Sequence, residues 1–231
     1  AFVRDVEKAK SVLGCVACDE TEGVYVGDLT NPVDFERAMA DGSVTTLAIA
    51  AGAGGHSSPD VQREVEFNSV VSSVKAMALA QKHTTHSNGD TQNLGNYRRL
   101  RVVLCSSMGT NKTPSPSWAG DVMFWKLNAE AFLSTSAISS TVIVKPCGLP
   151  EGMVGKNSTL IVGHNGTITD GISEYYTVSR EDVADVMAEA IMMPHECGKG
   201  ANLRFDLCSK PGPVTQDLKG LIESSRWEWD Q

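Results

Sequence analysis

The sequence predicts an α/β protein built on a doubly wound, mostly parallel sheet, and three observations carry that reading. Short β-branched runs alternate with helical patterns along the chain. The run Val44 to Ala50 is nearly apolar throughout, which suits a strand covered on both faces. The spacing between strands leaves room for right-handed β-α-β crossovers.

Taken in order, Ala1 to Arg4 reads as the end of a buried strand, followed by a helical stretch. Gly23 to Val26 is a second strand, closing on Gly27-Asp28, and Val44 to Ala50 is a third. Arg101 to Cys105 and Thr141 to Lys145 are the strongest strand candidates, and Leu203 to Leu207 is a shorter, later one. Helices are expected near Pro32 to Met39, Val61 to Gln81, Ala119 to Ser134 and Arg180 to Met192, with a terminal one starting near Thr215. Asn31-Pro32 supplies a capping side chain ahead of an early helical proline. Ser179 followed by Asp182 forms a capping box, and Val183, Val186, Met187, Ala190 and Ile191 recur at helical spacing behind it.

This order suits a Rossmann-like unit from its second strand onward, as one domain over 1–231. No glycine-rich turn stands ahead of Arg4, so the first strand and its glycine loop are expected to be missing from the unit as written. Two segments interrupt the alternation. Residues 83–96 form a polar, glycine-punctuated insertion, and residues 148–176 form a small variable lobe for substrate or partner.

A net charge of −8 with no offsetting basic cluster argues against nucleic-acid binding. Arg98 to Arg101 reads as a solvated strand entrance. No apolar run approaches the ~20 residues that span a bilayer. Of six cysteines, Cys15 and Cys18 are close in sequence but sit in a connector, with no second C-x-x-C to complete a zinc framework. Cys105, Cys147 and Cys208 lie in or beside apolar strands and read as small core residues, in a reducing compartment. His83 and His86 lack ligand partners, so no metal site is expected.

Candidate binding residues cluster at strand ends. Arg4 sits where an arginine pairs with an adenosine 2′-phosphate, although the neighbouring Asp5 would suit a free ribose. Asp28 is placed either to accept from adenine or to close a turn. Ala51 and Gly52 let a flat ligand approach the backbone. Ser106 and Ser107 follow a parallel strand into the crevice, and Lys126 lies on the flanking helix. Hydride transfer to a carbonyl also needs a proton source, and one turn before Lys126 stands Val122, which has none.

The run Trp125 to Ser136 with its W-K-x-x-A-E pattern, the turn Lys145-Pro146-Cys147-Gly148-Leu149, Val178 to Ala184 and Phe205 to Pro211 together resemble the atypical short-chain dehydrogenase/reductase family. The likeness is to NAD(P)-binding, epimerase-like proteins of plant and algal type. It implies NADP as cofactor, held by Arg4, Asp28, Ala51, Gly52, Ser106, Lys126, Pro146 and Leu149. Ser107 and Lys126 would be what remains of the catalytic set, with Val122 in the tyrosine position. Lys145 replaces the arginine usual before that proline. The resemblance implies an NADP-binding protein without ordinary turnover, a sensor or assembly factor. The alternatives are a non-catalytic subunit of a larger complex, such as a plastid membrane complex, and an NADP-dependent reductase or epimerase. It also implies a chloroplast location, with the cytoplasm as alternative. Protein partners would dock through 83–96 and through Trp227 and Trp229.

Overall fold

The computed structural model describes residues 1–87, 100–112, 120–136, 138–169, 177–194 and 202–226, with backbone alone for 82–87 and 169. It is an α/β fold of the expected class. Strand β1 (Phe2–Val3) pairs in parallel with β2 (Tyr25–Val26). Between them runs helix α1 (Val6–Leu13), opened by Asp5, whose carboxylate accepts from Lys8 N at 3.0 Å, and closed by Gly14 at φ +69°. A left-handed cap there suits a residue without Cβ. Helix α2 (Pro32–Ala38) starts behind the Asn31 cap with proline in its first turn, as its sequence predicts.

Five strands form the main sheet: β3 (Thr46–Ile49), β4 (Arg101–Cys105), β5 (Ser140–Pro146), β6 (Thr159–Gly163) and β7 (Asn202–Lys210). Their order across the sheet is β3-β4-β5-β7-β6. All pairings are parallel except β6 with β7. Strand β6 lies inside the segment read as a variable lobe. Its mixed polarity hid it, because an edge strand presents one face to solvent.

Helices α3 (Pro59–Arg63) and α4 (Ser69–Ser87) flank the sheet, with α5 (Val122–Thr135), α6 (Arg180–Met192) and α7 (Leu218–Ser224). Helices α2, α4 and α5 close one core around Val102, Leu104 and Ile143. Helices α6 and α7 close a second around Val103, Val142, Val144 and Phe205. Alternate residues of β4 and β5 thus enter opposite cores, which explains their unbroken apolar runs. The helix predicted over Val61 to Gln81 is longer and is interrupted by a π turn at Glu64–Asn68. It extends to Ser87, past His83 and His86. The rest of the 83–96 insertion, Trp227 and Trp229 lie outside the described residues.

Three expectations are revised. Arg101 is not solvated: it is 2% exposed. Its guanidinium donates to the carbonyls of Ala190 (3.0 Å), Ile191 (2.9 Å) and Pro194 (3.0 Å), capping the C-terminus of α6. Cys147 and Cys208, read as separate core thiols, form a disulfide, and so do Cys15 and Cys18. Strand β3 is only partly covered, with Ala48 exposed. Its outer edge carries no strand partner among the described residues. Strand β1 is not hydrogen-bonded to β3, yet Phe2, Leu29, Leu47, Ile49 and Ala51 wall one cavity of about 370 Å³ between them.

Candidate cofactor site

Parallel strands deliver their C-terminal ends to one side of a sheet, and the predicted residues are distributed along those ends. Arg4 leaves β1 exposed, and Asp28 leaves β2 exposed. Asp28 Oδ1 accepts from both the amide and the hydroxyl of Thr30 at 2.8 Å. Those two bonds, and more weakly the charge of Arg4, hold its carboxyl below the ordinary carboxylate value. The turn reading of Asp28 is the one these bonds describe, and Arg4 lies within electrostatic range of the same carboxylate. Gly27 has no room for a side chain, because a Cβ there would meet Asp34 Cβ at 2.7 Å and Phe2 Cζ at 2.8 Å. That close approach seats the β2 end on β1 and α2. The Asp34 carboxylate also accepts from Asp28 N at 2.9 Å.

At the end of β3, Ala51 is half-buried and Gly52 exposed. The next amide, Ala53 N, donates to Glu66 Oε1 at 2.7 Å. The other oxygen of Glu66 meets Lys126 Nζ at 2.8 Å, with the carboxylate 1% and the lysine 14% exposed. Lys126 is thereby fixed over the β3–β4 ends by a residue that the sequence did not single out. Glu66 reaches it because the π turn re-registers the helix by one residue. Periodicity could not have shown this, since the flanking apolar spacing stays helical.

Cys105, the last residue of β4, is a free thiol. Burial raises its pKa; the Lys126 charge opposes this and the Glu66 charge adds to it. Gln62 stitches the same region together: its amide donates to Gly55 O (3.1 Å) and Ser57 O (2.9 Å), and its oxygen accepts from Asp121 N (2.8 Å).

The two serines separate. Ser106 is buried and donates to Glu130 Oε1, while Ser107 is half-buried and donates to Met108 O at 3.2 Å. Glu130 was also missed by sequence reasoning. It accepts from Thr110 Oγ1 at 2.9 Å and from Arg204 Nε at 2.7 Å, and lies 3.5 Å from Lys145 Nζ. Lys145 is 1% exposed, and burial lowers its pKa, with Glu130 acting against the fall. Pro146 ends β5, and its carbonyl accepts from Met108 N at 2.9 Å; Leu149 packs on the α6 core. Val122 is buried at the first turn of α5 and offers no titratable group near Lys126. Among the described residues, the ion-pair partner of Lys126 is Glu66.

These features place Arg4 at the β1 end and Lys126 over the β3–β4 ends of an α/β sheet of nucleotide-cofactor type. Residues 1–194 match the NAD(P)H-binding family, and the chain belongs to that family. Its cofactor class is accordingly NAD(P).

Among curated proteins, sanguinarine reductase of Eschscholzia californica is 32% identical over 133 residues, covering 52% of this chain and 44% of that one. An uncharacterized chloroplastic protein of Arabidopsis thaliana is 31% identical over 134 residues, covering 53% of this chain and 37% of that one. The matched stretch thus spans less than half of either relative. Among solved structures, a putative NAD-dependent epimerase/dehydratase from Bacillus halodurans aligns with TM-score 0.66 at 22% identity, covering 96% of this chain and 86% of that one. A metagenomic short-chain oxidoreductase in complex with NADP aligns at 0.55 and 14% identity, covering 93% and 85%. These two likenesses are of fold.

The residues present fit such a cofactor at both ends. Arg4 is exposed at the β1 end, where its guanidinium would meet a phosphate, and the small residues Ala51 and Gly52 would let a ribose approach the β3 end.

Proposed function

We propose that the chain serves an NADP(H)-dependent reductase of the atypical short-chain dehydrogenase type. The observation that carries this is the pairing of ends: Arg4 and Asp28 exposed at the β1 and β2 ends, and Lys126 held by Glu66 at β3–β4. Arg4 selects the 2′-phosphate, and Asp28 keeps the guanidinium oriented. Lys126 and Ser107 bind the ribose on the nicotinamide side, which Pro146 and Leu149 line. Bound NADPH supplies the hydride.

Val122 constrains the acceptor. A ketone needs a proton as its alkoxide forms, and no side chain at that position gives one. An iminium cation does not: hydride adds to its carbon, the nitrogen loses its charge, and no proton is transferred. A reductase acting on cationic C=N acceptors is therefore the reading that best fits this site. The sanguinarine reductase relative supports reductase chemistry over epimerisation, which requires an acid-base pair. The chloroplastic relative supports a plastid setting and the plant-type assignment.

A second reading is a cofactor-binding sensor or accessory subunit without turnover, favoured by the engagement of the Lys126 ammonium with Glu66. Titration of the full-length protein with NADPH and NADH, followed by turnover with an iminium salt and a matched ketone, separates the two. Arg4→Ala is expected to weaken NADPH binding about tenfold or more and leave NADH unchanged. Turnover of the iminium alone is the expected result. Binding without any turnover selects the second reading, and equal affinity for both nucleotides in the unmodified protein removes the role given to Arg4.

A further inference from the structure

The Cys15–Cys18 pair lies on the β1-α1-β2 unit, which has the smallest core in the molecule's described parts. Ala9, Cys18 and Val24 are its buried members, with Val3, Val6 and Cys15 packed against them. Two of those six residues are the bonded cysteines. Each strand of the unit is two residues long, and Val12, Leu13 and Val16 on α1 and the following loop are exposed. With so few apolar side chains in this cluster, a covalent link between two of them adds a larger share of its order than it would in a large core.

The loop is built to present the pair. Gly14 turns the chain out of α1, Cys18 adopts φ +54°, and the Cα atoms of Cys15 and Cys18 stand 5.1 Å apart, within the disulfide range. The Glu22 carboxylate accepts from Val16 N at 3.1 Å and Cys18 N at 2.6 Å, fixing the backbone between the sulfurs. Cys15 is half-buried and flanked by the 84%-exposed Val16, while Cys18 is 2% exposed. An external thiol therefore has one sulfur to attack.

We infer that Cys15–Cys18 is a reversible thiol–disulfide exchange site whose state sets the order of the β1-α1-β2 unit. In reduction, an external thiolate attacks Cys15 Sγ, the Sγ–Sγ bond breaks, and Cys18 leaves as thiolate and takes up a proton. A second external thiol displaces Cys15 from the mixed disulfide. Two external thiols thus become one external disulfide, and the protein gains two S–H bonds. Oxidation by a small disulfide such as glutathione disulfide runs the reverse. Because the unit carries Arg4 and Asp28, its loosening weakens NADPH binding; that consequence rests on the reductase reading.

The test is hydrogen exchange over 1–28 in the full-length protein, reduced with dithiothreitol or oxidised with glutathione disulfide, with alkylation reporting Cys15 and Cys18. Exchange is expected to be about tenfold faster in the reduced state. Cys15→Ser/Cys18→Ser should exchange fast under both conditions, and Cys147→Ser/Cys208→Ser should keep the difference. Equal exchange in both states overturns the proposal, as does zinc alone shielding both reduced cysteines from alkylation, which would make the pair a metal site. NADPH binding is read separately: redox-dependent exchange without NADPH binding in either state retains this site and removes the cofactor reading.

Discussion

Glu130 is the residue on which the ion network beneath the site depends. It is buried and receives two hydroxyls and one guanidinium, with the Lys145 ammonium 3.5 Å away. Replacing it with glutamine leaves Lys145 and Arg204 short of a counter-charge, so Glu130→Gln is expected to cost about 3–5 kcal/mol of unfolding free energy. Lys145→Met should be neutral or mildly stabilising, because Arg204, Ser106 and Thr110 still satisfy Glu130. The same lysine gives a pH signature. Its folded pKa lies below the ordinary 10.5 because burial disfavours its charge. In the window between that lowered value and 10.5 the unfolded chain holds more protons, so stability rises with pH. Chemical denaturation at a series of alkaline pH values should show this rise, and Lys145→Met should flatten it.

At the scale of elements, Arg101 couples β4 to the far end of α6. A helix C-terminus offers unpaired carbonyls and partial negative charge, and one guanidinium here satisfies several of them. Arg101→Ala is expected to cost about 2–4 kcal/mol, since those carbonyls become buried orphans. Arg101→Lys should recover only part of it, having no planar fork. Thermal unfolding of the two variants checks both statements. Strand β4 itself was legible from its β-branched run, and α6 from its capping box, because both signals are local. Ser179 and Asp182 do exchange their two hydrogen bonds. The partnership of Arg101 was not legible: its acceptors lie about ninety residues further along the chain. The π turn was hidden for a different reason. It leaves the apolar periodicity intact and changes only the direction in which Glu66 points.

Across the whole molecule, the two cores and their division by the sheet follow from alternation within β4 and β5, so the architecture could be read in advance. The site was readable only in outline. Arg4, Asp28, Ala51 and Ser107 follow strand ends as topology requires, and Lys126 lies on the flanking helix α5. Their partners Glu66, Gln62 and Glu130 were chosen by tertiary geometry and leave no pattern in sequence. The Cys147–Cys208 bond is of the same kind, joining residues 61 apart through the pairing of β5 with β7.

The gap between β1 and β3 has a consequence for handling the protein. Among the described residues, β3 and β1 have no strand partner on the sides that face each other, and unpaired rows of this kind are templates for pairing with another chain. A polypeptide limited to residues 1–231 is expected to associate edge to edge, with light scattering rising steeply with concentration. Ala48→Lys places a solvated charge on that row and should suppress the rise without lowering the melting temperature; scattering unchanged by the lysine would locate the stickiness elsewhere.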